Sequence, residues 1–180
     1  MMLLNVCCAP CSLPIIEQLP GDGKVSLFFY GPNIYPEEEY EKRLRETRKV
    51  ASLYELELFE GDHDHEAWEA FIRWSLAESP EFYPENGERC LACFQYRLQK
   101  TAAFAKEKGY GEFAATLSVS RFKDTDFINQ YGQWLAAKND LKYRPFPLDA
   151  NEAHRLGMRL SQKHGIYRQK YCGCEFSLRA

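Results

Sequence analysis

Four short apolar runs alternate along this chain with stretches long enough to be amphipathic helices, and that alternation restricts the fold more than any other feature. Residues 3–6, 25–30, 56–59 and 112–117 read as strands, built from the aliphatic, β-branched and aromatic residues that suit a buried pleated surface. Helices are expected over about 36–55, 65–78, 91–108, 124–137 and 151–164. Pro36 suits a first turn, and Glu37, Glu38 and Glu39 complement the positive end of a helix. Trp68, Phe71 and Trp74 fall on one side of the second helix, and all three tryptophans, Trp134 included, are expected in the core. Strand–helix repetition implies an α/β fold. The expected architecture is a mainly parallel sheet covered by helices on both faces, with a Rossmann-like, nucleotide-hydrolase-type plan. Residues 1–180 form a single catalytic domain in this reading, and 138–180 are a basic helical C-terminal extension.

In such sheets, binding sites lie beyond the carboxyl ends of the strands. Cys7, Cys8 and Cys11 follow the first strand, Asp62 and Asp64 the third, and Ser118 and Ser120 the fourth. The three loops should therefore open on one edge. The 45% hydrophobic and 27% charged content excludes a disordered chain, and no apolar run approaches the roughly 20 residues that cross a bilayer. The start, Met-Met-Leu-Leu-Asn-Val-Cys-Cys, has no positive segment and too short an apolar stretch for a signal peptide. A cytoplasmic protein without a membrane association is expected.

Seven cysteines fall in three tight groups: Cys7, Cys8 and Cys11; Cys90 and Cys93; Cys172 and Cys174. An odd, clustered set points to metal or redox chemistry in a reducing compartment rather than to a disulfide framework. Cys90-x-x-Cys93 lies at the start of an expected helix, where the helix dipole favours thiolate. With the first group, it offers the four thiolates that a [4Fe-4S] cluster requires. A structural zinc site could instead use Cys8-x-x-Cys11 with Cys90-x-x-Cys93. That assignment leaves three thiols unexplained, so the surplus of sulfur favours iron–sulfur. Cys172-Gly173-Cys174 permits a strained small-loop disulfide, further metal ligands, or inert thiols.

His63, His65, His154 and His164 lack the spacing of a helical His-x-x-x-His metal site. Asp64 could ligate a metal, donate a proton, or cap the helix that follows it. Ser118, Ser120 and Lys123 could form an anion-binding turn. Net charge is −3, unevenly divided: residues 138–180 carry nine Lys and Arg, ending with Arg179, against four acids, which leaves −8 for residues 1–137. This basic segment, interleaved with Tyr143, Tyr167 and Tyr171, could contact phosphates and stack on bases. It could equally be a solvated helix face.

Five strings taken together resemble a known family. They are Asn5-Val6-Cys7-Cys8-Ala9-Pro10-Cys11-Ser12; Phe29-Tyr30-Gly31-Pro32-Asn33-Ile34 with Pro36 and Glu38-Glu39-Tyr40; Arg89-Cys90-x-x-Cys93-Phe94 with Arg97-Leu98 and Thr101-Ala102; Thr116-Leu117-Ser118-x-Ser120 with Lys123; and Tyr167-Arg168-Gln169-x-Tyr171-Cys172-Gly173-Cys174 with Ser177. The set is similar to the cobalamin-independent epoxyqueuosine reductases, the QueH family, in order along nearly the whole chain. Gly31 stands where that family more often has Asn. The resemblance implies removal of the epoxide oxygen from epoxyqueuosine at the wobble position of a tRNA anticodon loop, with an external electron donor. It implies a [4Fe-4S] cluster on Cys7, Cys8, Cys90 and Cys93, and a redox-active pair, Cys172 and Cys174. Cys11 and Asp64 could support a second metal ion beside the cluster, and Asp64 or a thiol could supply protons.

Two rival readings make different predictions. A zinc-bearing RNA-binding module without redox activity would purify colourless and zinc-loaded. A nucleotide-dependent tRNA thiolation enzyme would need a Ser-Gly-Gly-x-Asp-Ser loop after the first strand, and the sequence there is Cys-Cys-Ala-Pro-Cys-Ser.

Overall fold

The computed structural model of the chain describes residues 1–19 and 25–178; Arg179 lies outside them. Five parallel strands, β1 (Met2–Val6), β2 (Val25–Phe29), β3 (Leu58–Glu60), β4 (Glu112–Ala115) and β5 (Lys142–Tyr143), form one sheet in the order β3-β2-β1-β4-β5. Five helices connect them, α1 (Ala9–Ile16), α2 (Glu37–Leu53), α3 (His65–Ser75), α4 (Glu88–Glu107) and α5 (Thr125–Asn139), and α6 (Ala150–Lys163) follows β5 among the described residues. The expected α/β architecture is therefore present.

Register follows the period-2 pattern of a strand buried on both faces. Met2, Leu4 and Val6 of β1 enter one core with Leu13, Leu27, Val50, Ala153 and Leu160, whereas Leu3 enters the other with Phe28, Trp68, Leu98, Phe113 and Ile128. All five residues of β1 are buried. Each fully buried Leu or Val contributes roughly 1.5–3 kcal/mol, so this central strand ties the two cores together.

The structure departs from the sequence reading in three places. Residues 9–16 form a helix although Pro10 and Pro14 lie within them. Proline is tolerated in a first turn, which accommodates Pro10. Pro14 lacks the N–H that would bond the Pro10 carbonyl, and that carbonyl faces α6, 2.6 Å from where a side chain on Gly157 would begin. Only glycine lets α6 rest there. Second, Lys142–Tyr143, expected to be irregular, pair with β4 through Glu112 and Phe113, so the C-terminal segment adds an edge strand as well as a helix. Third, only Trp68 is buried; Trp74 and Trp134 are exposed. Trp134 lies against Tyr131 on α5 with the Lys138 ammonium over its ring, so neighbours on its own helix cover part of its apolar surface.

The chain leaves β1 for β2 and β3 on one side, then crosses to β4 and β5 on the other. The crevice beyond β1 and β4 is thus the topological switch point of the sheet, where open α/β proteins place their ligands.

Candidate active site

At that switch point lies a cavity of about 330 Å³ lined by Cys7, Cys8, Cys11 and Cys172, with Arg43, Lys123 and the rim residues Phe122 and His154. The first three cysteines arrive from the end of β1 and the first turn of α1. Cys90 and Cys93 arrive from the first two turns of α4, whose N-terminus at Glu88 lies slightly ahead of the expected start. Cys174 is buried, and Cys172 is half-buried. The topology thus joins three groups of thiols far apart in sequence.

Thiol environments reveal which groups meet. Cys7 is held well above the ordinary thiol range, first by its contact with Cys8 and then by burial. Cys8 is pushed up to about 12, mainly by Cys11, and Cys11 is correspondingly lowered by Cys8. Burial pushes Cys93 up to about 12, with Cys172 adding to it and Arg97 opposing. Burial raises Cys174, with Cys93 and Cys172 adding to the effect. Cys172 therefore lies within electrostatic reach of Cys93 and Cys174 while opening on the same cavity as Cys7, Cys8 and Cys11.

Three cations surround these sulfurs. Arg97 is 1% exposed, and its Nε and Nη2 have no hydrogen-bond partner. Burial works against its charge, but the Cys7 and Cys93 sulfurs outweigh that cost. Lys123 is opposed by burial and held charged by Cys172, Cys7, Cys11 and Cys8; among the described residues its ammonium donates only to Ser120 Oγ, at 3.5 Å. The Trp68 indole N–H is buried without a full hydrogen bond and lies against Cys93. Buried donors normally have partners, and a buried unpaired charge costs several kcal/mol, on the order of 3–5. A chain that directs the Arg97 and Lys123 charges and the Trp68 N–H at several thiols, with no carboxylate partner for either cation among the described residues, suits an anionic sulfur-bound group. The residues present fit a [4Fe-4S] cluster in that respect. Among the described residues, no three donors converge on a single-ion site; a cubane spreads its thiolates over several irons.

The third cation, Arg43, has a different task. It is 2% exposed and donates Nε to Glu39 Oε1 at 2.8 Å, Nη1 to the Cys172 carbonyl at 2.9 Å and Nη2 to the Tyr171 carbonyl at 3.1 Å. The Tyr35 N–H donates to the Gly173 carbonyl at 2.8 Å. Gly173 has φ +111°, and a side chain there would begin 2.8 Å from Arg43 Nη1. The Cys-Gly-Cys turn is thus fixed through its backbone, and glycine is required twice over, for conformation and for space.

Asp64 stands apart from the cavity lining. It occupies the N-cap position of α3 without a capping bond and accepts instead from Tyr30 at 2.9 Å and Tyr96 at 3.1 Å, with Lys100 at 3.3 Å. Ser118 is buried and donates to the Ala115 carbonyl at 2.9 Å, so of the expected anion-binding turn only Ser120 and Lys123 reach the cavity. The histidines serve the scaffold in part: His63 bonds Ile34 O and His65 bonds Pro32 O. The three tyrosines of the basic segment are engaged by protein. Tyr143 is buried, the Tyr167 hydroxyl donates to Glu39, and that of Tyr171 to the Tyr35 carbonyl.

Arg43 and Arg97 were missed by the sequence reading as functional residues. Arg97 had a signal, since it follows Cys93 by one helical turn and so shares its face. Arg43 had none, for it lies in a run of charged residues that reads as a solvated helix.

The fold and site define an α/β protein with a thiol-rich, cation-lined pocket at its switch point. The sequence model described as "Epoxyqueuosine reductase QueH" matches residues 2–180. A protein of Thermotoga maritima with that name is 35% identical over 178 residues, covering 98% of this chain and 90% of the relative. Another from Acinetobacter baylyi is 35% identical, covering 99% and 80%, and one from Histophilus somni is 34% identical, covering 99% and 72%. This chain belongs to the QueH family of epoxyqueuosine reductases.

Proposed function

We propose that this protein reduces epoxyqueuosine to queuosine in tRNA. The observation that carries the reading is the cavity itself: four of its lining residues are cysteines far apart in the chain, and Lys123 and the buried Arg97 face these sulfurs with no carboxylate partner among the described residues. The zinc-bearing, non-redox alternative gains no support from the relatives, whose names are those of reductases.

In this reading, Cys7, Cys8, Cys90 and Cys93 hold a [4Fe-4S] cluster, with Arg97 and Lys123 balancing its negative charge. When bound, such a cluster supplies single electrons and an iron able to polarise an oxygen. The chain supplies the rest. Cys172 faces the cavity and Cys174 lies behind it against Cys93, so the pair can close a disulfide and release two electrons and two protons. An epoxide that takes up two electrons and two protons becomes an alkene and water, which balances the reaction. An external reductant then restores the dithiol. Cys11 lines the cavity beside Cys8 and is the thiol available to a second metal ion.

The cavity lining carries Arg43, Arg121, Lys123, Arg168 and Lys170 against the single acid Glu85, in a protein of net charge −3. That local reversal of sign suits a polyanion, and a tRNA anticodon loop is the partner it supports. No helix among the described residues is long and apolar enough to cross a membrane.

Anaerobic reconstitution with iron and sulfide, followed by assay on tRNA carrying epoxyqueuosine, tests the reading. A brown protein that bleaches with dithionite and forms queuosine is expected. A colourless protein that binds zinc and leaves the epoxide intact overturns it.

A further inference from the structure

The mouth of the cavity holds an aromatic side chain that the chemistry above does not use. Phe122 is 61% exposed, although it lines the same cavity as the buried thiols. It stands at the tip of the turn between β4 and α5, and Ser120 Oγ accepts from its backbone N–H. The His154 ring meets it edge-on, with centroids 6.2 Å apart at 87°, and the Arg121 guanidinium lies 4.6 Å from its ring centre. Among the described residues, neither Arg121 nor Arg168 has a carboxylate partner, and both lie close enough to His154 to disfavour its protonation. A second groove begins at His154 and Met158 and runs on past Arg155 and Arg159.

The phenyl ring stands largely in water at the mouth of the cavity, with the Arg121 guanidinium over one face and Arg168, which donates to Met158 Sδ at 2.8 Å, in the same lining. For single-stranded nucleic acid the same arrangement is apt: a flat apolar face for a base, positive charge on either side for phosphates, and a cavity beyond it that admits one nucleotide. We infer that Phe122 is a stacking post for the anticodon-loop nucleotide next to the one whose base enters the cavity, with Arg121 and Arg168 on the flanking phosphates. The inference rests on the proposed action on tRNA. It deepens that action, because it gives the stacking contact to the exposed Phe122 of this turn; of the C-terminal tyrosines only Tyr171 lines the cavity, and its hydroxyl is held by the Tyr35 carbonyl.

The test uses the reconstituted protein and an anticodon stem-loop carrying epoxyqueuosine, with 2-aminopurine at the neighbouring nucleotide. Wild-type protein should quench that fluorescence. Phe122→Leu keeps an apolar side chain without the flat ring; it should lose the quench and weaken binding about tenfold, with iron content and the slope of affinity against salt unchanged. Phe122→Trp should restore both quench and affinity. Arg168→Gln should instead flatten the salt slope. Equal binding and quenching by wild type and Phe122→Leu would overturn the stacking role alone, as would a Phe122→Leu defect that Trp fails to rescue. If wild-type protein neither binds nor reduces the stem-loop, the functional reading falls and this inference with it.

Discussion

Two polar clusters stand at the carboxyl end of the same sheet and differ in one respect, namely whether their charges are answered. Around Asp64, the carboxylate receives two tyrosine hydroxyls and a lysine ammonium, so the group is complete within the protein. Around the thiols, Arg97 has two buried N–H groups without partners and Lys123 a single long bond to a serine. Both clusters contain titratable residues that the sequence singles out. Their surroundings separate them: a completed network supports the fold, while an incomplete one is shaped for something it has yet to receive.

The sharpest way to break this comparison is to remove a thiol from the second cluster. Cys93→Ala should reduce both iron content and turnover to background, measured by metal analysis and queuosine formation. Cys172→Ser should abolish turnover as completely while leaving the iron and its visible spectrum intact; iron falling with activity would make Cys172 a ligand. Arg97→Met should act with opposite signs on two states. It relieves the metal-free protein of an unanswered buried charge and should raise its melting temperature by about 2–4 °C for each kcal/mol gained. The same change should weaken cluster retention by about 10–100-fold, read by chelator challenge. At the other cluster, Asp64→Asn should cost only about 1 kcal/mol, measured by urea unfolding, with turnover kept within a few-fold. A collapse of turnover at unchanged stability would move Asp64 into the chemistry.

The strand runs and the pairing of Cys90 with Cys93 were legible because both rest on local signals, namely hydrophobic period and spacing; that Cys172 opens on the same cavity as Cys7, Cys8 and Cys11 was not in any local pattern. Helix α1 was hidden because the cysteine-bearing stretch after β1 reads as a loop; that α6 packs on it at Gly157, close to the Pro10 carbonyl, is something no local pattern reports. Strand β5 was hidden because two residues carry no period. Lys123 was legible as part of an anion-binding turn, but the groups it faces are cysteine sulfurs. Arg43 illustrates the general limit. Its neighbours Glu41, Lys42 and Arg45 are charged in the same manner, and only the tertiary fold decides that Arg43 alone turns inward to hold the Cys-Gly-Cys turn. The exposed Trp134 taught the reverse, that a large apolar residue can be partly covered by its own helix and need not enter a core.

The seating of α6 on the Pro10 carbonyl bears on the order in which the molecule is made. Cys7 comes from the turn after β1 and Cys172 from the segment after α6, and both line a cavity whose wall α1 and α6 build together. Until α6 has been translated, the apolar side of α1 lies open and the cavity has no boundary on that flank. The cavity is therefore walled on that flank only once α6, which follows the first five of the seven cysteines in the chain, has been made. An interrupted chain would present uncovered thiols to whatever oxidant or stray ion reached them first.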